Sequence, residues 1–419
     1  MSEDSLPAVA RRLLRYARYD TQSAEDSDSV PSTAKQLDLL VALVEELKEL
    51  GVTDAAMDEH HYVIGTVPAN VDHPVPVIGL IAHVDTSPEL TGEGVRPRIH
   101  RNYDGGPIAL SAQYTLTPEQ SPELLAHRGH TIITTDGTTL LGADNKAGIA
   151  EIMTLVEGLR ADPSIPHGEI RVAFTFDEEI GRGTEHFDVN AFGAQYAYTV
   201  DGETVGQIEN ETFCADSATV TFTGVNVHPG YAKDRMVNSL RAAADFIGRL
   251  PPGMSPECTE GRQGYLHPTQ VQGGVEQTTV KLILRDFQPD QLVAYRRLLR
   301  EYAAAAEAAV PGSKVQLAFD ESYRNMRLVL DEHPTVVECA LEATRRAGIE
   351  PELSQIRGGT DGANLSFAGL PTPNIFTGGH LFHSRFEWIA VEGMEATVRT
   401  LEELVKVWAE RGQRSGAGK

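Results

Sequence analysis

The sequence predicts an α/β protein in which helices flank a mixed sheet and a second, smaller α+β unit interrupts the chain. Three observations carry that prediction. Apolar residues recur at helical spacing in stretches that alternate with short runs of strand length; the pattern changes character after Asp201; and the first style returns beyond about residue 322. At 419 residues the chain also exceeds the size at which one hydrophobic core usually stops growing, which favours two domains.

Leu6, Val9, Leu13, Leu14 and Ala17 share one helical face, and residues 33–50 repeat that period with Ser32 as cap and Gly51 as stop. Runs at 62–67 and 75–82 read as strands. A helix at 147–160 leads into a strand at 169–176, and a further strand, 196–200, ends at Asp201. Between 212 and 322 the order is a strand near 218–222, a helix at 237–250, a strand at 278–284, a helix at 291–309 and a strand at 315–319. Helices at 335–347 and 392–411 then flank a glycine-rich segment, 358–379, that contains short strands. The expected domains are 1–211 with 323–412, and an inserted 212–322; residues 413–419, rich in Gly, Ser and Lys, read as a disordered tail.

Composition narrows the partners. Sixty acidic against 36 basic side chains leave a formal charge of -24, which repels phosphate backbones and anionic membrane surfaces, so neither nucleic acid nor membrane is expected. The same excess also fits plain solubility at high salt. The three cysteines, Cys214, Cys258 and Cys339, have no metal-type spacing and suggest no disulfide framework, which fits a reducing, cytoplasmic setting. The arginine-rich start reads as an amphipathic helix rather than a secretory signal, and the apolar run 75–82, with Pro76 in it, is far too short to span a bilayer. No phosphate-cradling glycine loop, serine-nucleophile elbow or His-Glu-x-x-His helix occurs.

Residues that can hold metal gather where strands end. His83 and Asp85 follow the run 75–82; side chains two apart point to the same side, and a carboxylate commonly orients a ligating imidazole. By itself the pair reads first as a surface loop with an ordinary hydrogen bond. Asp144, in the glycine-bounded turn Gly142-Ala143-Asp144-Asn145-Lys146-Ala147-Gly148, fits either a helix cap or a bridge between two cations. Asp177-Glu178-Glu179 ends the strand 169–176 and precedes Gly181-Arg182-Gly183. Three adjacent acids make either a solvated loop or a cation site, and both glutamates can serve one site only if the backbone turns there. Asp201 and His383 complete a set of two imidazoles and three carboxylates with His83, Asp144 and Glu179, a mixture suited to zinc. Three carboxylates and a hydroxide would balance two Zn²⁺ ions.

At these residues the chain resembles the tripeptide aminopeptidases of the co-catalytic zinc exopeptidase family, which also includes carboxypeptidase G and acetylornithine deacetylase. The carriers are Ile81-Ala82-His83-Val84-Asp85-Thr86-Ser87-Pro88, the turn 140–148, Asp177-Glu178-Glu179, Tyr198-Thr199-Val200-Asp201-Gly202 and Arg357-Gly358-Gly359-Thr360-Asp361-Gly362-Ala363. The resemblance implies a zinc-exopeptidase-like catalytic domain with two Zn²⁺ per subunit: His83 and Asp201 on one, Glu179 and His383 on the other, Asp144 bridging. It implies Glu178 as general base, Asp85 as the orienter of His83, and, through an aspartate at position 201, removal of the N-terminal residue from tripeptides. It implies further that 212–322 is a lid that forms a homodimer, that His228 polarises the scissile carbonyl, and that Arg285, Asn325 and Arg357 grip the peptide. Those aminopeptidases carry a second aspartate where this chain has Asn145; the first is the ligand, so metal binding is expected to survive, while the family's cis peptide after it is put in question. An amidohydrolase of the same fold is the nearest alternative, separable by comparing tripeptides, dipeptides and N-acyl amino acids.

Overall fold

Parallel strands covered on both faces read as continuous apolar runs rather than alternating ones. Ile78–His83, buried throughout, lies within such a sheet in the computed structural model, which describes residues 5–416. Eight strands follow the order Ala56–Met57, Val63–Val67, Ile170–Thr175, Ile78–His83, Tyr196–Gly202, Asn374–Phe376, Gln207–Thr212 and Glu352–Ile356. The four from Ile170–Thr175 to Asn374–Phe376 are parallel, and Val63–Val67 and Gln207–Thr212 run antiparallel to their inner neighbours. The sheet is therefore mixed, as predicted. Register places His83 opposite Thr175 and Ile375 opposite Val200, so the loops after these strands leave along one edge.

The helix Ala143–Ala161 lies against Ile78–His83 and Tyr196–Gly202, and one glycine sets how closely. A Cβ on Gly148 would stand 1.9 Å from the carbonyl oxygen of Val200, so only glycine lets the helix start seat on the strand end that carries Asp201. The helix Val391–Gly416 packs on Ala143–Ala161 and on Pro334–Arg346.

The chain divides into two compact units. One takes residues up to Asn210 with Val329–Ser354 and those from Thr360 onward; the other takes Glu211–Leu328 and Gln355–Gly359. The second contains a four-stranded antiparallel sheet, in the order Tyr265–Gly273, Gln277–Asp286, Cys214–Thr223, Lys314–Tyr323, packed with helices Ser239–Arg249 and Pro289–Ala309 around Phe222, Phe246, Leu282 and Leu299.

Several expectations need correction. The strand Tyr265–Gly273 went unread because Pro268 and mostly polar neighbours hide its pattern, and it is an edge strand, where proline is tolerated. The short strands between Arg98–His100 and Ile132–Thr134 were also unread, being too short for periodicity to show. Ser32 caps no helix: the helix begins at Gln36. The last helix continues to Gly416, past Gly412 where a disordered tail was expected; residues 417–419 lie outside the described residues. No helix among the described residues is long and apolar enough to cross a membrane.

Candidate metal centre

Each candidate ligand comes from the carboxyl end of a parallel strand or from a turn beside it, the edge where ligands bind in open α/β sheets. His83 is the last residue of its strand. Its Nδ1 faces the Asp85 carboxylate at 3.2 Å, which leaves Nε2 to point at Asp144 Oδ1 (3.1 Å) and Asp201 Oδ1 (3.4 Å). Asp144 is not a helix cap; Gly142, at φ 75°, holds that place without a side-chain cap, and the peptide between Asp144 and Asn145 is cis. The second oxygen of Asp144 lies 3.3 Å from His383 Nε2, which is also 2.7 Å from Glu179 Oε2. Two ligand groups result, His83 with Asp144 and Asp201, and Asp144 with Glu179 and His383, joined through the two oxygens of one carboxylate.

Residues 136–407 match the model of peptidase family M20/M25/M40. The chain belongs to that family. Proteins named Peptidase T are similar over nearly all of it: one from Geobacillus sp. (strain WCH70) is 48% identical over 96% of this chain and 99% of its own, and one from Vibrio cholerae serotype O1 (strain ATCC 39315 / El Tor Inaba N16961) is 50% identical over 94% and 97%. Among solved structures, the aminopeptidase PepT from Bacillus cereus ATCC 10987 superposes with a TM-score of 0.74 at 23% identity, covering 96% of this chain and 98% of that one. A tripeptidase from Staphylococcus aureus superposes with 0.75 at 20%, with the same coverages, and these two establish the shared fold. Membership and the twin ligand groups make this chain a dinuclear metallopeptidase of the M20 family.

The residues fit two zinc ions. Tetrahedral zinc with bonds of 2.0–2.2 Å sets neighbouring ligand atoms about 3.3 Å apart, and the separations here run from 2.7 to 3.4 Å. Glu179 Oε1 is buried with no hydrogen-bond partner, as a coordinating oxygen would be. Burial and the neighbouring charges pull these groups in opposite directions. Burial disfavours charge on His83, but Asp201, Asp144 and Asp85 outweigh it and hold the ring well above its usual pKa. His383 is likewise pushed up to about 11, against burial, by Asp144 and Glu179. Burial, then the charge of Asp144, pushes Glu179 up to about 8. As ligands these groups would bind metal in their deprotonated forms.

The turn that aims both glutamates is built around Asp177, at φ 58°, with Glu178–Ile180 forming one short 3₁₀ turn. Asp85 serves it too: its two oxygens accept the backbone N–H groups of Glu178 (3.0 Å) and Glu179 (3.2 Å). The Glu178 carboxyl is held well above its ordinary pKa, chiefly by burial and, despite His83, by Asp201, Asp361 and Glu179.

Two buried carboxylates were missed as site residues. Glu387 accepts the backbone N–H groups of Leu141 (2.7 Å), Gly142 (2.8 Å) and Asp144 (3.0 Å), tying down the bridging aspartate's turn. It stands in an ordinary polar-apolar pattern that carries no signal. Asp361 accepts from the Thr175 hydroxyl at 2.9 Å and leaves room only for glycine at 183; it lay within a quoted motif but without a role.

The four residues expected at the substrate belong to the second unit. His228 is exposed, its Nδ1 accepting from the Gly230 N–H at 3.1 Å. Arg285 donates to the carbonyls of Asp216 and Leu284 and lies over the Tyr323 ring. Asn325 does not present its amide to a peptide: it is buried, its oxygen accepts from Thr212 and Arg327, and its nitrogen donates to Glu211 and Phe287, which uses every donor and acceptor the amide has. Arg357 is similarly committed, donating to the carbonyls of Gly261 and Gln263 and to Thr259 while stacked near Phe213 and Tyr265, so its fork holds a turn rather than a carboxylate.

Proposed function

We propose that this chain is a cytoplasmic aminopeptidase that removes the N-terminal residue from short peptides, tripeptides among them. One observation carries the reading: Asp144 turns one oxygen toward His83 and the other toward His383, with Glu178 on the adjoining turn. An aspartate at position 201, the residue type that goes with aminopeptidases in the resemblance above, and the Peptidase T name of the relatives support N-terminal cleavage.

Two zinc ions held by these residues would polarise the scissile carbonyl and acidify the attacking water. Glu178 takes the proton of that water and returns it to the departing amine, acting as base and then as acid. Asp85 fixes the positions of both partners, since it grips the His83 ring and the backbone of Glu178 and Glu179 together. Asp144 and Glu179 hold charge that cations balance. His228 and Arg285 are the second unit's contributions to the substrate in this reading, and a homodimer through that unit belongs to it.

Replacing Glu178 by Ala is expected to leave two bound zinc ions per chain and lower kcat by about 10²–10⁴-fold. Metal analysis with a tripeptide digestion assay measures both, and full activity in that variant would remove Glu178 from the mechanism. Preference for dipeptides or N-acyl amino acids over tripeptides would replace the aminopeptidase reading with that of an amidohydrolase.

A further inference from the structure

Asp177 precedes the two glutamates and is buried at φ 58°, a left-handed conformation that a non-glycine residue keeps only where its surroundings enforce it. The enforcing contacts come from far upstream. Ser32 donates to the Asp177 carboxylate through its backbone N–H (2.6 Å) and its hydroxyl (2.5 Å). Gln36 holds Asp177 at both ends: Nε2 donates to Oδ1 at 2.7 Å, and Oε1 accepts the Asp177 N–H at 3.2 Å. Both residues are buried. Only an amide can donate and accept in this way; a carboxylate has no donor and a thioether has neither group in strength.

The same stretch of chain reaches the other ligand-bearing loops. Gln22 Nε2 lies within hydrogen-bond distance of the carbonyls of Ser87 (3.3 Å), Pro88 (3.1 Å) and Leu90 (3.1 Å), beyond His83 and Asp85. Thr86 donates its N–H to Thr21 and accepts from that of Ser23. Lys146, fully buried two residues after Asp144, donates to the Tyr19 carbonyl at 2.8 Å, and Arg182 donates to the Ser27 carbonyl at 2.8 Å.

We propose that residues 19–36 form a strap that positions the three loops carrying His83, Asp144 and Glu179, and that Gln36 is its positioning residue for Glu178 and Glu179. Neighbouring residues in extended chain face opposite ways, so the turn held by Gln36 and Ser32 decides whether both glutamates serve one site. The strap rests on the roles given to those glutamates above.

The test uses the full-length, cobalt-loaded enzyme, because the visible spectrum of Co²⁺ reports ligand geometry separately from turnover. Gln36→Met removes both hydrogen bonds at similar volume; kcat is expected to fall at least about tenfold with KM within about twofold, and the cobalt spectrum to shift, since a displacement of about 1 Å can cost that much or more. Gln36→Glu should fail likewise, lacking a donor, whereas Gln36→Glu combined with Asp177→Asn exchanges donor and acceptor and should restore both the spectrum and kcat. A Gln36→Met enzyme with lower melting temperature but unchanged kcat and spectrum overturns the proposal, as does a double variant no better than the single one. If Gln36→Met does not fold, Ser32→Ala deletes one hydroxyl donor and is expected to lower kcat about threefold with a smaller spectral shift; no change in either overturns the strap. An active Glu178→Ala enzyme would instead strike at the glutamate's role, so the two failures are distinguishable.

Discussion

The two metal positions share Asp144 yet are held in different ways. His83 ends a central strand, is 2% exposed, and has its other ring nitrogen on the buried Asp85. His383 sits on a turn at φ 59°, is 41% exposed, and its other nitrogen lies 3.4 Å from the exposed Glu89. One position is thus fixed by the sheet before any ion arrives. The other stands on a turn held by the Ser384 hydroxyl on the Leu381 carbonyl and by the Phe386 N–H on Ser384, with its ring facing solvent.

The largest expected contrast is in the metal-free protein. His83→Ala leaves the Asp201 carboxylate without its counter-charge and Asp144 with His383 alone, and should cost about 3–5 kcal/mol, whereas His383→Ala removes a ring that is 41% exposed, although its partners Asp144 and Glu179 are themselves largely buried, and should cost less. Urea unfolding of both variants measures this, and equal losses would erase the distinction between the positions. A middle-sized effect is expected one layer out. Asp85→Asn should weaken zinc binding about 10–100-fold, but Glu89→Gln less than about fivefold, as read by competition with a fluorescent chelator; a Glu89 variant as damaging as the Asp85 one would mean that the exposed position is held as firmly as the buried one.

The smallest effect sharpens the contrast through pH. His380, three residues before His383, is buried against Trp388 with ring centroids 4.4 Å apart, and burial, with His127 near, pushes it down to about 4. Its neutral form is favoured on folding, so between pH 4 and 6.5 the unfolded chain binds more protons. The stabilisation is complete above about pH 6.5 and is lost as pH falls toward 4. By pH 6 about 1 kcal/mol of it has been lost. His380→Phe keeps the stack and should flatten that part of the stability curve; an unchanged slope would show that the segment leading to His383 is not the acid-labile one.

How much of this could be read beforehand follows from what spacing encodes. His83 and Asp201 stand at the ends of apolar runs, and a strand end has a direction, but spacing left their role open; the family resemblance supplied it, with Asp85, two residues beyond, as the orienter. The sheet itself was legible from those runs. Gln36 and Glu387 were not, since each is one polar residue in an ordinary amphipathic pattern and acts on loops more than a hundred residues away. For Asn325 and Arg357 residue type suggested a grip on substrate, but sequence could not show that neighbouring carbonyls and a carboxylate take their donors and that backbone N–H groups take the Asn325 oxygen.

The ligands arrive from widely separated parts of the chain, and the last of them, His383, follows the whole of the second unit. A ribosome-bound chain that has not yet released this turn lacks an imidazole for one metal position, and it also lacks the Glu387 clasp on the other ligands' shared aspartate. Both halves of the centre therefore stay incomplete until the chain beyond the second unit has folded back onto the sheet edge.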